Sequence, residues 1–270
     1  MIDRDGFERP DIADEHMMEI KNTTRYVSFD GSYPFRPRNI FFRMWAAFFR
    51  IVAICFYNPF ARLFYHIKIN GKEKLKPFRS KGFIMTINHV HLMDDLCVGT
   101  NIFPGRKIYF TTLSLNIKRP MIGFWLRSLG GIPIPNESIS GNRKFNEDIT
   151  YLLKHNKPVL YNPEGSLWFN YRDIRPFKRG AFVMAVRNDV PVIPIVLTFR
   201  RRKKRNGKFK YYITYTICDP LYHEKGLSEK EASERLMAKA QKVTEKTVED
   251  FYKNNDCGFD DNAKKKISTL

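Results

Sequence analysis

The stretch Asn88-His89-Val90-His91-Leu92-Met93-Asp94-Asp95 concentrates two imidazoles and two carboxyls in one octapeptide. A histidine exchanges protons near neutral pH. An aspartate bonded to one of its ring nitrogens fixes the tautomer and stabilises the imidazolium. Such a pair suits removal of a proton from an alcohol. Residues five apart on a continuous helix point about 140° apart, so a His89–Asp94 bond requires His89 in a loop and Asp94 in the first helical turn after it. A metal is the competing use, because His89, His91, Asp94 and Asp95 are all possible ligands. Metallo-hydrolase sites that open with His-x-His also want a histidine soon after the aspartate, whereas Leu96 and Cys97 follow here. A serine hydrolase would need a Gly-x-Ser-x-Gly elbow, and nucleotide binding a Gly-rich phosphate loop; the sequence has neither.

A second candidate cluster is Tyr161-Asn162-Pro163-Glu164-Gly165-Ser166. Proline and glycine around a carboxylate make a tight, fixed turn. The alternative is an ordinary strand-to-helix turn with Glu164 as a cap.

Both clusters follow short apolar runs. Residues 83–87, 107–112, 158–162 and 190–197 read as strands, with helices near 92–101, 118–129, 143–155 and 178–188 between them. That alternation predicts an α/β fold, a mixed and mostly parallel sheet flanked by helices. Ligands in such folds bind at the C-terminal ends of the strands, where His89 and Glu164 both fall. Asn206-Gly207 marks a hairpin from 190–200 to 211–217. Ser228-Glu229-Lys230-Glu231 is a capping box opening a final helix, whose Leu236, Ala240, Val243 and Phe251 recur near the helical period.

The core is expected over 70–256, after a polar, loosely docked arm at 1–38 and a helical pair at 39–69; residues 257–270 read as a polar tail. Residues 40–67 are the most apolar part of the chain. Sixteen helical residues from Ile40 to Cys55 reach only about 24 Å, short of the roughly 30 Å hydrocarbon layer, and Asn58-Pro59 is expected to break the helix. The pair therefore reads either as core or as an amphipathic hairpin lying in a bilayer surface, with Arg43, Arg50 and Arg62 snorkelling.

The formal charge of +19 is unevenly placed. Residues 36–81 carry eleven Lys/Arg against Glu73 alone, and 170–210 carry thirteen against Asp173 and Asp189. Two basic blocks suit a polyanion, either an anionic membrane surface or nucleic acid. No zinc module or reading helix accompanies residues 200–205, and a hairpin facing anionic headgroups explains them equally well, so the expected partner is a membrane and not nucleic acid. Four widely spaced cysteines without CxxC pairing favour a reduced compartment. The acidic first twenty residues are not those of a signal peptide. The expected place is peripheral or monotopic, on the cytoplasmic face of a membrane.

Taken in order, Asn88-His89-x4-Asp94, Gly130-Gly131-Ile132-Pro133-Ile134, Asn162-Pro163-Glu164-Gly165-Ser166 and Val190-Pro191-Val192-Ile193-Pro194 resemble the glycerolipid acyltransferase family, which includes lysophosphatidic acid acyltransferases. The resemblance covers roughly residues 40–220. It implies an α/β core preceded by membrane-docking helices, no cofactor, no metal and no covalent acyl-enzyme. The implied reaction transfers a fatty acyl group from acyl-CoA or acyl-carrier protein to the free hydroxyl of a lysophospholipid, with 1-acyl-sn-glycerol-3-phosphate giving phosphatidic acid. The resemblance makes His89 the base, Asp94 its partner, and Asn88, Glu164, Gly165 and Ser166 part of the substrate-binding blocks. Two positions depart from the family pattern: Asn136 and Leu167 stand where phosphate-gripping arginines are usual. Arg172 and Arg175, with Lys178 and Arg179 close behind, are the expected replacements.

Overall fold

A computed structural model describes residues 1–12, 15, 26–135, 138–207 and 209–259. Among the described residues, seven strands form one sheet in the order β1-β7-β6-β2-β5-β3-β4. These are β1 (Lys68–Asn70), β2 (Ile84–Ile87), β3 (Tyr109–Leu113), β4 (Gly131–Ile134), β5 (Val159–Tyr161), β6 (Val192–Lys203) and β7 (Phe209–Ile217). Every neighbouring pair is parallel except the β6–β7 hairpin. The expected mixed, mostly parallel α/β sheet is therefore observed.

The central strands are apolar on both faces because both faces are covered. Phe83, Met85 and Ile87 join Leu160, Ile193 and Ile195 in one core, which also takes Val98, Ile102 and Ala61. Ile84, Val159 and Val192 face the other core with Ile149, Leu152, Phe182 and Leu236. That second layer is supplied by α6 (Ile139–Lys154), α7 (Gly180–Arg187) and α8 (Glu229–Asn254). Ser228 caps α8 by accepting from the Glu231 amide, as the capping box predicts.

The first layer holds α1 (Ile40–Val52), α2 (Asn58–Tyr65) and α3 (Asp94–Cys97); α4 (Ser114–Lys118) and α5 (Pro120–Leu129) lie between β3 and β4. The expected break at Asn58-Pro59 is absent. A π-turn at Ala53–Tyr57 joins α1 to α2, its last bond running from the Asn58 amide to the Ala53 carbonyl. Widening the helix one turn ahead of Pro59 accommodates a residue that has no N–H and crowds the preceding turn. The pair is thus one helix of 26 residues, Ile40–Tyr65, about 39 Å long. Its length and apolar composition are enough to cross a bilayer, contrary to the expectation of two short pieces.

The described part of the N-terminal arm is firmly docked. Phe35 is fully buried, Asp3 pairs with Arg9 at 2.6 Å, and Arg4 donates to Asp173 at 3.0 Å. The loose reading rested on polarity alone, but these carboxylates find buried or half-buried arginines. Of the expected tail, Phe259 stacks on Arg172 and Arg201; residues beyond it lie outside the described ones.

Candidate active site

β2 ends at Ile87, and Asn88 latches its end to β6. The Asn88 amide donates to the Leu197 carbonyl at 2.9 Å and accepts from the Leu197 N–H at 2.8 Å. Both ends of the side chain are used and it is buried. Asn88 therefore positions the loop.

His89 follows in that loop, and Asp94 opens α3, the arrangement the five-residue spacing demands. His89 Nδ1 lies 2.8 Å from Asp94 Oδ2; the imidazole side chain is 19% exposed and the carboxylate fully buried. The Asp95 amide donates to Asp94 Oδ1 at 2.8 Å, so Asp94 is held at both oxygens. His91 turns away, accepting from the Met93 amide at 3.2 Å and packing edge-on against Tyr65. Burial alone would push the His89 pKa down. Asp94 beside it, with Asp95 and Glu164 further off, outweighs this and holds it at about 9. Burial raises Asp95 in turn, to about 7, and Asp94 adds to the rise while His89 and Asn162 oppose it.

The Glu164 carboxylate points beneath this loop rather than toward a substrate. It accepts from the His89 amide at 3.3 Å and from the Arg175 amide at 3.2 Å, and it pairs with the Arg175 guanidinium. Arg175 also donates to the Ser166 hydroxyl and carbonyl and stacks on Trp168. Arg172 forms a two-point pair with Asp5, both bonds 2.7 Å, and lies against Phe259 and Tyr252. Glu164, Ser166, Arg172 and Arg175 are all buried. The two arginines and the carboxylate thus form internal struts. The physical reason is proximity: a desolvated guanidinium next to a carboxylate pairs with it. Gly165, between Glu164 and Ser166, is half-buried. Its φ of +79° favours glycine, and the flexible end of Lys178 lies where a Cβ would stand.

A cleft of about 600 Å³ opens over His89. Its wall includes Asp95, Asn162, Gly165 and Leu167 on the sheet side, and Asn116, Arg119, Ile122 and Leu126 on the α4–α5 side. Leu167, at an expected arginine position, does line it; Asn136, the other, falls outside the described residues. Asn116 and Arg119 were not singled out from the sequence, and Asp95 was weighed there as a possible metal ligand. Asp95 is bonded by Asn162 at 3.2 Å, a contact that two positions 67 apart give no local sign of. Lys118-Arg119-Pro120 reads as a mere helix boundary until β4 folds α5 back over the sheet edge. Gly130, at φ +113°, caps α5 and leaves no room for a Cβ against the Ile108 carbonyl, which explains the glycine of that motif.

Fold and site together define an α/β domain with a histidine–aspartate pair just past the C-terminal end of the central strand and a cleft of about 600 Å³ above it. Residues 66–198 match the family model described as Acyltransferase. The chain is 27% identical over 153 residues to the 1-acyl-sn-glycerol-3-phosphate acyltransferase of Saccharomyces cerevisiae, covering 55% of this chain and 48% of that protein. It is 25% identical over 158 residues to the human 1-acyl-sn-glycerol-3-phosphate acyltransferase beta, covering 58% and 55%. A third relative, from Chlamydomonas reinhardtii, bears the same activity in its name and is 29% identical over 134 residues, covering 50% and 39%. The chain spans about half the length of the curated relatives it matches. The crystal structure of PlsC, the 1-acyl-sn-glycerophosphate acyltransferase of Thermotoga maritima, covers 80% of this chain and 96% of its own, with a TM-score of 0.49 and 20% identity. Residues 66–198 thus carry an acyltransferase domain similar to those of the glycerolipid acyltransferases.

Proposed function

We propose that this protein transfers a fatty acyl group from a thioester, acyl-CoA or acyl-carrier protein, to the free hydroxyl of a lysophospholipid. The acceptor that the named relatives favour is 1-acyl-sn-glycerol-3-phosphate, which gives phosphatidic acid. The observation that carries the reading is the His89–Asp94 bond at 2.8 Å on the floor of the cleft. With Nδ1 committed to Asp94, Nε2 is the nitrogen available to an acceptor hydroxyl. Neutral His89 removes that proton as the oxygen attacks the thioester carbonyl. A tetrahedral adduct forms; the C–S bond then breaks, and the imidazolium returns its proton to the leaving thiolate. Asp94 stabilises the imidazolium between the two steps. Atoms balance with no further reactant, since ester and free thiol are the products.

The proposed setting is the surface of an anionic bilayer. Phe41, Met44, Phe48, Ile51, Phe60 and Leu63 on the long helix are exposed, as are Met121 and Trp125 on α5. The opposite side of that helix is fastened along its length: Phe49 packs on Trp125 at 4.2 Å, Trp45 donates to Ser128, Asn58 to the Thr100 carbonyl and Arg62 to Asn101. A helix bound lengthwise to a globular domain suits immersion in one leaflet better than a crossing. Exposed Leu92 and Ile122 stand at the cleft, so a lipid has an apolar route into it. The basic hairpin after β6 lies beside the same helix, with Lys210 over Phe64 at 5.2 Å and His66 against Tyr212 at 4.6 Å. Those charges then meet headgroups where the apolar face meets acyl chains.

The test is acceptor-dependent thiol release from acyl-CoA in mixed vesicles. His89→Ala is expected to lose about 100-fold or more while keeping its circular dichroism and vesicle binding. Retention of half the wild-type rate would remove His89 from the chemistry.

A further inference from the structure

The proposed acceptor has an anionic headgroup, and the two positions where the family pattern carries an arginine, Asn136 and Leu167, hold none. Leu167 is apolar on the cleft wall, Arg175 is bound to Glu164 and Ser166, and Arg172 is bound to Asp5. Among the described residues that line the cleft, Arg119 is the one lysine or arginine. It occupies the bend between α4 and α5, in the extended conformation (φ −75°, ψ 118°) that a residue before proline favours. Asn116, bonded to Thr112, stands one turn before it, and Ile122 and Leu126 follow at helical spacing along the same wall. That wall therefore grades from an amide and a guanidinium to aliphatic side chains. The membrane-facing residues of α5, Met121, Phe124 and Trp125, occupy its other side.

We infer that Arg119 is the specificity-determining residue of this site, binding the phosphate of the acceptor while Ile122 and Leu126 contact its acyl chain. The inference rests on the acyltransferase reading and adds to it the side chain that selects a phosphate-bearing acceptor. A guanidinium pairs with phosphate through two parallel N–H donors and carries its charge at any working pH. A half-buried phosphate without such a partner is strongly disfavoured. A lone aliphatic wall would show no preference for a charged acceptor.

The experiment uses the full chain with acyl-CoA and two acceptors of equal chain length, 1-acyl-glycerol-3-phosphate and monoacylglycerol. In Arg119→Ala, KM for the phosphate acceptor is expected to rise about 10-fold or more, with kcat within roughly threefold. The selectivity for phosphate over neutral acceptor, as a ratio of kcat/KM, falls by the same factor of about 10. Arg119→Lys recovers part of it, since charge returns without the planar fork. An unchanged KM, an equal loss on both acceptors, or a wild type that acylates only the neutral acceptor would each overturn the assignment. Equilibrium binding of hexanoyl-lysophosphatidic acid to His89→Ala, with and without Arg119→Ala, needs no turnover. Weaker binding in the double variant alongside a wild type that transfers nothing would keep Arg119 and sink the acyltransferase reading. Equal binding by both would sink Arg119.

Discussion

In the proposed reaction His89 acts as a base only when neutral, yet Asp94 and its neighbours hold its proton to about pH 9. The sign follows directly: kcat/KM rises with pH, tenfold per unit, and levels near pH 9. Asp94→Asn removes the main charge that raises the imidazole, so the midpoint moves down toward about 6.5, the unperturbed value, while the plateau drops about 100-fold. A midpoint that stays put in that variant would take Asp94 out of the pair. Arg175 makes the opposite kind of prediction. Its partner Glu164 is fully buried, so Arg175→Ala leaves an uncompensated carboxylate and is expected to cost about 3–5 kcal/mol of stability, read by chemical denaturation. A stable variant with a selectively raised KM for the phosphate acceptor would return Arg175 to substrate binding. The His–Asp pair was legible because five residues of loop and one helical turn admit a single workable geometry. The pairing of Arg172 and Arg175 was not legible, because sequence shows where a cation stands in the chain and not which carboxylate reaches it first; Asp5 is 167 positions away.

At the scale of elements, the long apolar helix and the helix that carries Asp94 are stitched together. Tyr57 contacts Cys97 at 3.2 Å, Asn58 bonds the Thr100 carbonyl at 3.0 Å, and Arg62 bonds Asn101 at 3.0 Å. Those partners lie in α3 or in the π-turn Val98–Ile102 that continues it, within a few residues of Asp94. Arg62→Ala is expected to leave vesicle binding intact and to lower kcat several-fold, because the contact positions α3 and not the bilayer. Lost vesicle binding with normal kcat in detergent would reverse that assignment. The buried strands were readable as apolar runs. β1 and β4 were not: β1 is three residues at one edge with a single apolar side chain, and β4 is Gly-Ile-Pro-Ile, tolerable because the opposite edge has no outer neighbour to receive the missing N–H. Asn58-Pro59 misled for a related reason. Alone it ends helices, but the bond to Thr100 and the π-turn keep the axis continuous.

For the molecule as a whole, one surface combines exposed aromatic and aliphatic side chains with flanking basic residues. Replacing Phe48 and Phe60 by Asp removes about 2 kcal/mol of apolar transfer each, so vesicle partitioning is expected to fall roughly 100-fold or more. Added salt is expected to weaken the remaining binding to anionic vesicles; salt-independent binding would remove the basic hairpin from the interface. Composition gave the apolar block and the charge blocks, and only the fold brings them to one side, because the β6–β7 hairpin ends next to α2. The central claim is transfer rather than hydrolysis or mere lipid binding. Mass spectrometry of lipids formed from acyl-CoA with an isotope-labelled panel of lysolipids and neutral glycerides tests it most directly. The expected result is labelled phosphatidic acid from 1-acyl-glycerol-3-phosphate, matched one to one by free thiol and absent in His89→Ala. Free fatty acid in place of ester, or no product from any acceptor with either donor, would contradict it.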